Sequence, residues 1–153
     1  MSTVTIDVLP SLRQTKAAAK RAATQQTQRR LREMETSSRQ AAWYASVTGY
    51  QPLLATSQLS RADRVRLHRL RLGYRTWKEL QDDFTDRACD HCDRRSHCPL
   101  VHYLLTCPAT QHLRHHIDGA PEEEEARAMH VVRHALENPQ QLLEVMRAAP
   151  PPR

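Results

Sequence analysis

The chain is short of the residues that fill a core. It has one phenylalanine, two tryptophans and four tyrosines in 153 residues, and hydrophobic residues make up 39% of it. One well-filled compact domain is therefore not expected; a long arm beside a small lobe fits better. No run approaches the roughly 18 to 20 apolar residues of a membrane span, and the opening MSTVTIDVLP lacks the apolar segment of a signal peptide. The expectation is an intracellular protein with no membrane partner, nucleus and cytoplasm being equally open. Three glycines provide no loop to cradle phosphates, and there is no H-E-x-x-H arrangement and no nucleophile beside a base. Asp82, Asp83 and Asp86 lie within five residues of one another. Two-metal phosphoryl chemistry needs carboxylates converging from separate elements, so these read as a solvated acidic loop and the chain as a non-enzyme. No internal repeat stands out, and no apolar-polar alternation argues for a sheet.

Cysteine is scarce too, but its placement is informative. Cys89, Cys92, His102 and Cys107 are spaced C-x2-C-x9-H-x4-C. Thiolate and imidazole are ligands that Zn²⁺ prefers, and a C-x2-C pair brings two sulfurs to one ion across a tight turn. The H-x4-C interval puts His102 about one helical turn from Cys107. Four protein ligands leave no position for a substrate water, so the expected zinc is structural. Cys98 lies inside the same loop and is the competing ligand; His91 and His97 read as solvated loop residues. Such a zinc contributes on the order of 10 kcal/mol in small domains, so its chelation should be denaturing.

Charge is unevenly divided. Residues 1–80 carry 15 Lys and Arg against 5 Asp and Glu, whereas residues 81–153 carry 8 against 12. The basic half is either a polyanion-binding surface or a solvated helix face.

The helical pattern supports an all-α fold, a long basic N-terminal helix plus a small zinc-stapled helical lobe. From Pro10 to about Val47 the chain is free of internal proline and glycine and rich in Ala, Gln and Arg, with only an intermittent apolar stripe. Ser60 caps the next helix, with Asp63 in its first turn and Gly73 at its end. Ala62, Val65, Leu70 and Leu72 are its expected core side. Arg64, Arg66, Arg69, Arg71 and Arg75, with Trp77, are the candidate nucleic-acid contacts. Tyr74 and Trp77 beside arginines can stack on unpaired bases, although so lean a core argues more strongly for packing both rings against the lobe. Thr76 caps a short helix, a further helix runs from Pro108, and residues 122–125 place carboxylates at the positive end of another. Asn138, Pro139 and Gln141 open the last helix. His112, His115 and His116 read as surface histidines. The organisation expected is 1–59 basic helical arm and linker, 60–149 helical zinc-knuckle domain, and 150–153 disordered tail.

The order of LHRLRLGY, CDHC, HYLLTCP and a closing NPQQLLEVMR helix resembles the C-terminal tail, after reverse transcriptase and ribonuclease H, of non-LTR retrotransposon polyproteins. The resemblance covers roughly Pro10 to Ala148, and HYLLTCP is its most specific part. It implies that Cys89, Cys92, His102 and Cys107 match the zinc-knuckle ligands of that tail. The aspartate pair of the polymerase and the four separated carboxylates of the nuclease are absent from this chain, so what the likeness implies is a nucleic-acid context and not an activity. Two functions follow as expectations: a non-catalytic module holding RNA or an RNA/DNA hybrid, single-stranded segments included, or a protein-interaction module that finds a partner helix.

Overall fold

The computed structural model describes residues 10–53, 59–115 and 117–153. It is mostly α-helical, with a long N-terminal helix, as the sequence pattern predicts. Helix α1 spans Leu12–Ser37. It opens on a capping box in which Ser11 Oγ accepts from Gln14 N–H (3.3 Å) and Gln14 Oε1 accepts from Ser11 N–H (2.7 Å). No residue of α1 is buried.

The single helix expected to run to Val47 is two. Ser38 takes an extended backbone (φ −134°, ψ 119°), ends α1, and caps α2 (Arg39–Thr48) by accepting from Ala41 N–H at 3.4 Å. The break has a packing reason. It turns Trp43 and Val47 into the core, with the Trp43 indole N–H donating to the Leu70 carbonyl at 2.9 Å. Residues of the segment read as arm and linker, 1–59, thus contribute to the lobe through α2.

Helix α3 (Arg61–Arg71) starts as expected, Ser60 Oγ accepting from Asp63 N–H at 3.1 Å. Its buried face differs from the expected one. Asp63, Leu67, Leu70 and Arg71 point inward, while Ala62, Val65 and Leu72 are exposed. A pattern of apolar residues alone misses this register because two of the inward positions are charged. Asp63 is satisfied by Arg147 of the last helix (2.7 Å) and by Arg66 (3.3 Å).

After a one-turn 3₁₀ helix (Lys78–Leu80), strands β1 (Arg87–Ala88) and β2 (Arg95–Ser96) form a small antiparallel hairpin. The sequence reading found no sheet, and two residues per strand are too few for alternation to register. Helix α4 (Pro99–Leu105) begins on its proline and buries Leu100, Val101, Tyr103 and Leu104. The segment expected as a further helix from Pro108 is a 3₁₀ helix, Pro108–Arg114, kinked at Thr110, whose hydroxyl donates to the Tyr103 and Cys107 carbonyls. Helix α5 (Glu124–Glu137) is capped by Glu123, which accepts from the Glu125 and Ala126 N–H groups. Helix α6 (Pro139–Ala148) is capped by Asn138, as read from the sequence. It buries Leu142, Leu143 and Met146 against the rest of the core.

Residues 150–153, expected to fray, pack instead. Pro151 and Pro152 are buried. Tyr103 donates to the Ala149 carbonyl (2.7 Å), Tyr74 to that of Pro152 (2.5 Å), and Arg87 to that of Arg153. Proline cannot donate a backbone hydrogen bond, so carbonyls alone are satisfied here, and hydroxyl and guanidinium donors do it. Among the described residues, no helix is long and apolar enough to cross a membrane.

Candidate metal centre

The four residues singled out by spacing come together. The donor atoms of Cys89, Cys92, His102 and Cys107 lie within 4.8 Å of one another. Cys89 sits just after β1, Cys92 follows in the turn of the hairpin, His102 projects from the middle of α4, and Cys107 stands where the Pro108–Arg114 segment begins. The Cys89 and Cys107 sulfurs are 3.8 Å apart, and Cys92 Sγ is 3.3 Å from His102 Nε2. A tetrahedral ion with metal–sulfur bonds near 2.3 Å sets its sulfurs about 3.8 Å apart, far beyond a disulfide's ~2.05 Å. The group therefore fits one ion with three sulfur ligands and one nitrogen.

The surroundings fix three of the donors, His102, Cys107 and Cys89. His102 Nδ1 lies 2.7 Å from Thr106 Oγ1, the residue that ends α4. Donation by Nδ1–H to that hydroxyl leaves the Nε2 lone pair free for a metal. The His102 carbonyl accepts from Cys107 N–H (2.9 Å). Arg114 donates to the Cys107 carbonyl at 2.9 Å and the Leu104 carbonyl at 3.1 Å, holding the turn between the two ligands. Cys89 N–H donates to the Arg94 carbonyl (2.9 Å), and Cys89 Sγ accepts from His91 N–H (3.4 Å).

Burial, with the Arg94 and Arg114 charges, holds His102 below its usual range, so the imidazole is neutral, as a ligand must be. Burial also pushes the Cys107 thiol up, to about 11, the nearby Cys89 sulfur adding to the effect and the Ala109 N–H opposing it. A thiol so placed stays protonated unless a cation compensates its charge. The cavity against the cluster, lined by Cys89, His91, His102 and Tyr103 among others, measures about 10 Å³, roughly one water.

Cys98 is not part of the group. It packs against the core at the start of α4, and burial raises its thiol above the ordinary value. His97 is exposed, as expected. His91 differs from its reading as a solvated residue: its Nε2 is 2.7 Å from the Pro150 carbonyl. The metal loop thus holds the C-terminal segment directly. Thr106, Arg114 and His91 are the site residues that the sequence reading missed. For Thr106 a signal existed, a hydroxyl four residues after the histidine on one helical face. His112 and His115 stack at 5.5 Å between ring centres, and His116 lies outside the described residues.

The candidate nucleic-acid residues divide. Arg64 and Arg75 are exposed, and Trp77 is 75% exposed, contrary to the packing expected for its ring. Tyr74 is buried, as expected, under the Arg69 guanidinium at 4.0 Å. Arg66 is half-buried on Asp63. Arg71 is 4% exposed and donates to the Gln51 carbonyl, with its guanidinium over the Tyr44 ring. It is an interior residue, unavailable to phosphate. Asp82 and Asp83 are exposed, and Asp86 pairs with Arg95 at 2.6 Å.

No family model, curated protein or solved structure matches the chain.

Proposed function

We propose that this chain is a non-catalytic, zinc-stapled helical module that binds nucleic acid, RNA or an RNA/DNA hybrid with exposed bases. The observation that carries the reading is the convergence of Cys89, Cys92, His102 and Cys107, four protein donors within 4.8 Å of one another, enough to fill the positions of a tetrahedral ion. On the same lobe Arg64, Arg75 and Trp77 stand free in solvent. An exposed arginine two residues from an exposed indole, as Arg75 is from Trp77, is a combination that tracks phosphate and stacks on bases. The resemblance to the retrotransposon tail supports the same context.

The test has two steps. Metal content by native mass spectrometry is expected to give one zinc per chain that survives Cys98→Ser and is lost with Cys107→Ser. Binding to single-stranded RNA and to a hybrid is then followed against salt. Arg64→Ala and Arg75→Ala should each lower the salt dependence, and Trp77→Ala should weaken binding at every salt concentration. Absence of zinc, or binding indifferent to all three changes, refutes the proposal.

One observation favours a second reading, a protein-interaction module. Val65, Leu72, Trp77 and Leu80 are between 45% and 75% exposed on α3 and the turn after it. A partner helix docking there gives association that persists at high salt, where phosphate contacts fail.

A further inference from the structure

We propose that α1 is a second binding surface whose partner is double-stranded DNA, with the helix lying in the major groove. The surface is separate from the lobe's, and the proposal goes beyond the lobe's reading.

From Leu12 to Arg32 the helix contains seven Lys and Arg and no Asp or Glu. None of the seven forms an ion pair among the described residues. The two acids of α1, Glu33 and Glu35, lie in its last turns, and Glu35 is held by the Tyr50 hydroxyl at 2.5 Å. A helix that buries no side chain has little beyond propensity and capping to stabilise it, so its place in the molecule needs a partner.

The distribution selects the partner. At ~100° per residue, Arg13, Lys16, Lys20 and Arg30 fall on one flank, and Arg21, Arg29 and Arg32 on the opposite flank, the two centred about 200° apart. A helix in the B-form major groove runs between two phosphate strands and meets anions on both sides. Ala17 on one side and Ala19 and Ala22 on the other lie between the flanks, and Ala18 and Ala23 keep the same stretch slim. An α-helix of roughly 10–12 Å diameter, narrowed by alanine, suits a groove about 12 Å wide. The 26 residues reach roughly 39 Å, about one turn of duplex.

Other partners fit worse. α1 contains no aromatic ring to stack on unpaired bases. Its exposed apolar residues, Leu12 and Met34, stand at opposite ends and form no face to enter a lipid headgroup layer. Duplex RNA has a major groove too deep and narrow for a helix.

The experiment uses the full, zinc-loaded chain and a labelled DNA duplex of about two turns, ~21 base pairs, with duplex RNA and single-stranded DNA of the same sequence beside it. One variant changes Arg13, Lys16, Lys20 and Arg30 to Gln, another changes Arg21, Arg29 and Arg32 to Gln. Glutamine keeps helix propensity, which circular dichroism verifies. Each phosphate contact contributes about 0.9 to the slope of log K against log salt. The expected result is tightest binding to duplex DNA, with each flank variant lowering its slope by about 2, two contacts per side. A slope unchanged in both variants overturns the proposal. So does a loss confined to one flank, which places the helix outside a groove, or an equal loss of slope by the flank variants on duplex RNA or single strands. Arg64→Ala with Arg75→Ala is run in parallel: loss of RNA binding there, with the α1 effect intact, separates failure of the lobe's reading from failure of this one.

Discussion

Gly73→Ala should be far more damaging than Gly49→Ala, although both glycines end helices in the left-handed region, at φ +54° and +53°. A side chain at such a φ costs roughly 1–2 kcal/mol. This is offset in both variants by the ~0.4–1 kcal/mol that alanine removes from the unfolded chain's freedom. At Gly49 nothing lies within 4 Å of the added Cβ, so the variant should lose about 1 kcal/mol or less. At Gly73 the Cβ meets Trp43 Cδ2 at 2.3 Å and Cγ at 2.4 Å. The indole cannot swing aside without breaking its 2.9 Å bond to the Leu70 carbonyl, and it has no exposed surface to move toward. Overpacking of this kind adds roughly 1–3 kcal/mol, giving about 2–4 kcal/mol for Gly73→Ala.

Urea unfolding of the zinc-loaded proteins, followed by far-ultraviolet circular dichroism, measures both. A gap between the two variants of at least ~1 kcal/mol is expected, and combining Gly73→Ala with Trp43→Phe should recover part of it, since contacting residues couple by ~0.5–3 kcal/mol. Equal losses at the two glycines would refute the reasoning, because they would mean that the indole yields without cost. The turn at Gly73 also launches Tyr74, Arg75 and Trp77, so Gly73→Ala should weaken RNA binding as well.

Chelation of the metal should strip amide-exchange protection first from the hairpin and from residues 89–107, well before α5 and α6; simultaneous loss everywhere would show that the centre supports no local unit. Asp63 is held below the usual carboxylate range chiefly by its hydrogen bond from Arg147. Its stabilising contribution is therefore complete above the unfolded value near 3.9 and is lost as pH falls through the lower folded value. Asp63→Asn should cost about 1–2 kcal/mol at neutral pH, Arg147 being half-exposed, and the gap from the parent should narrow as pH falls below the unfolded value; a gap constant with pH contradicts the assignment. Tyr103→Phe removes the buried bond to the Ala149 carbonyl and should cost about 1–3 kcal/mol in urea unfolding. The same change at the exposed Tyr50, whose hydroxyl donates to Glu35, should leave the urea midpoint nearly unmoved.

Caps and ligands were legible in the sequence, and for one reason: each acts over three to five residues or through a distinctive chemistry. Ser60, Thr76 and Asn138 were readable because a cap binds an N–H two or three residues on. The convergence of the four Cys and His donors was readable because sulfur has few other uses in such spacing. What was illegible depends on distant partners. Arg71 looked like a phosphate contact until Gln51 and Tyr44, on another part of the chain, enclosed it. Asp63 hid the register of α3 because Arg147 lies 84 residues away. The tail looked disordered because its donors, Tyr74, Arg87, His91 and Tyr103, all come from elsewhere.

The same contrast bears on why the metal group has the form it does. Between residues 81 and 98 no side chain is fully buried, so hydrophobic burial, the main stabiliser of a fold, contributes little to placing this stretch. Yet Cys89 and Cys92 stand in it with their sulfurs directed at His102 and Cys107, which belong to segments fixed by buried Leu100, Val101, Tyr103, Leu104 and Leu113. Four donors converging from one unburied segment and one well-packed segment make sense if ligation does the work that packing cannot. Hydrogen bonds from Arg87 and His91 to the C-terminal carbonyls then tie residues 150–153 to that same stretch. Removing one donor therefore acts on three parts of the chain at once, the hairpin, the start of the Pro108–Arg114 segment and the tail, whereas losing the thiol of Cys98, which ligates nothing in this group, should leave all three in place.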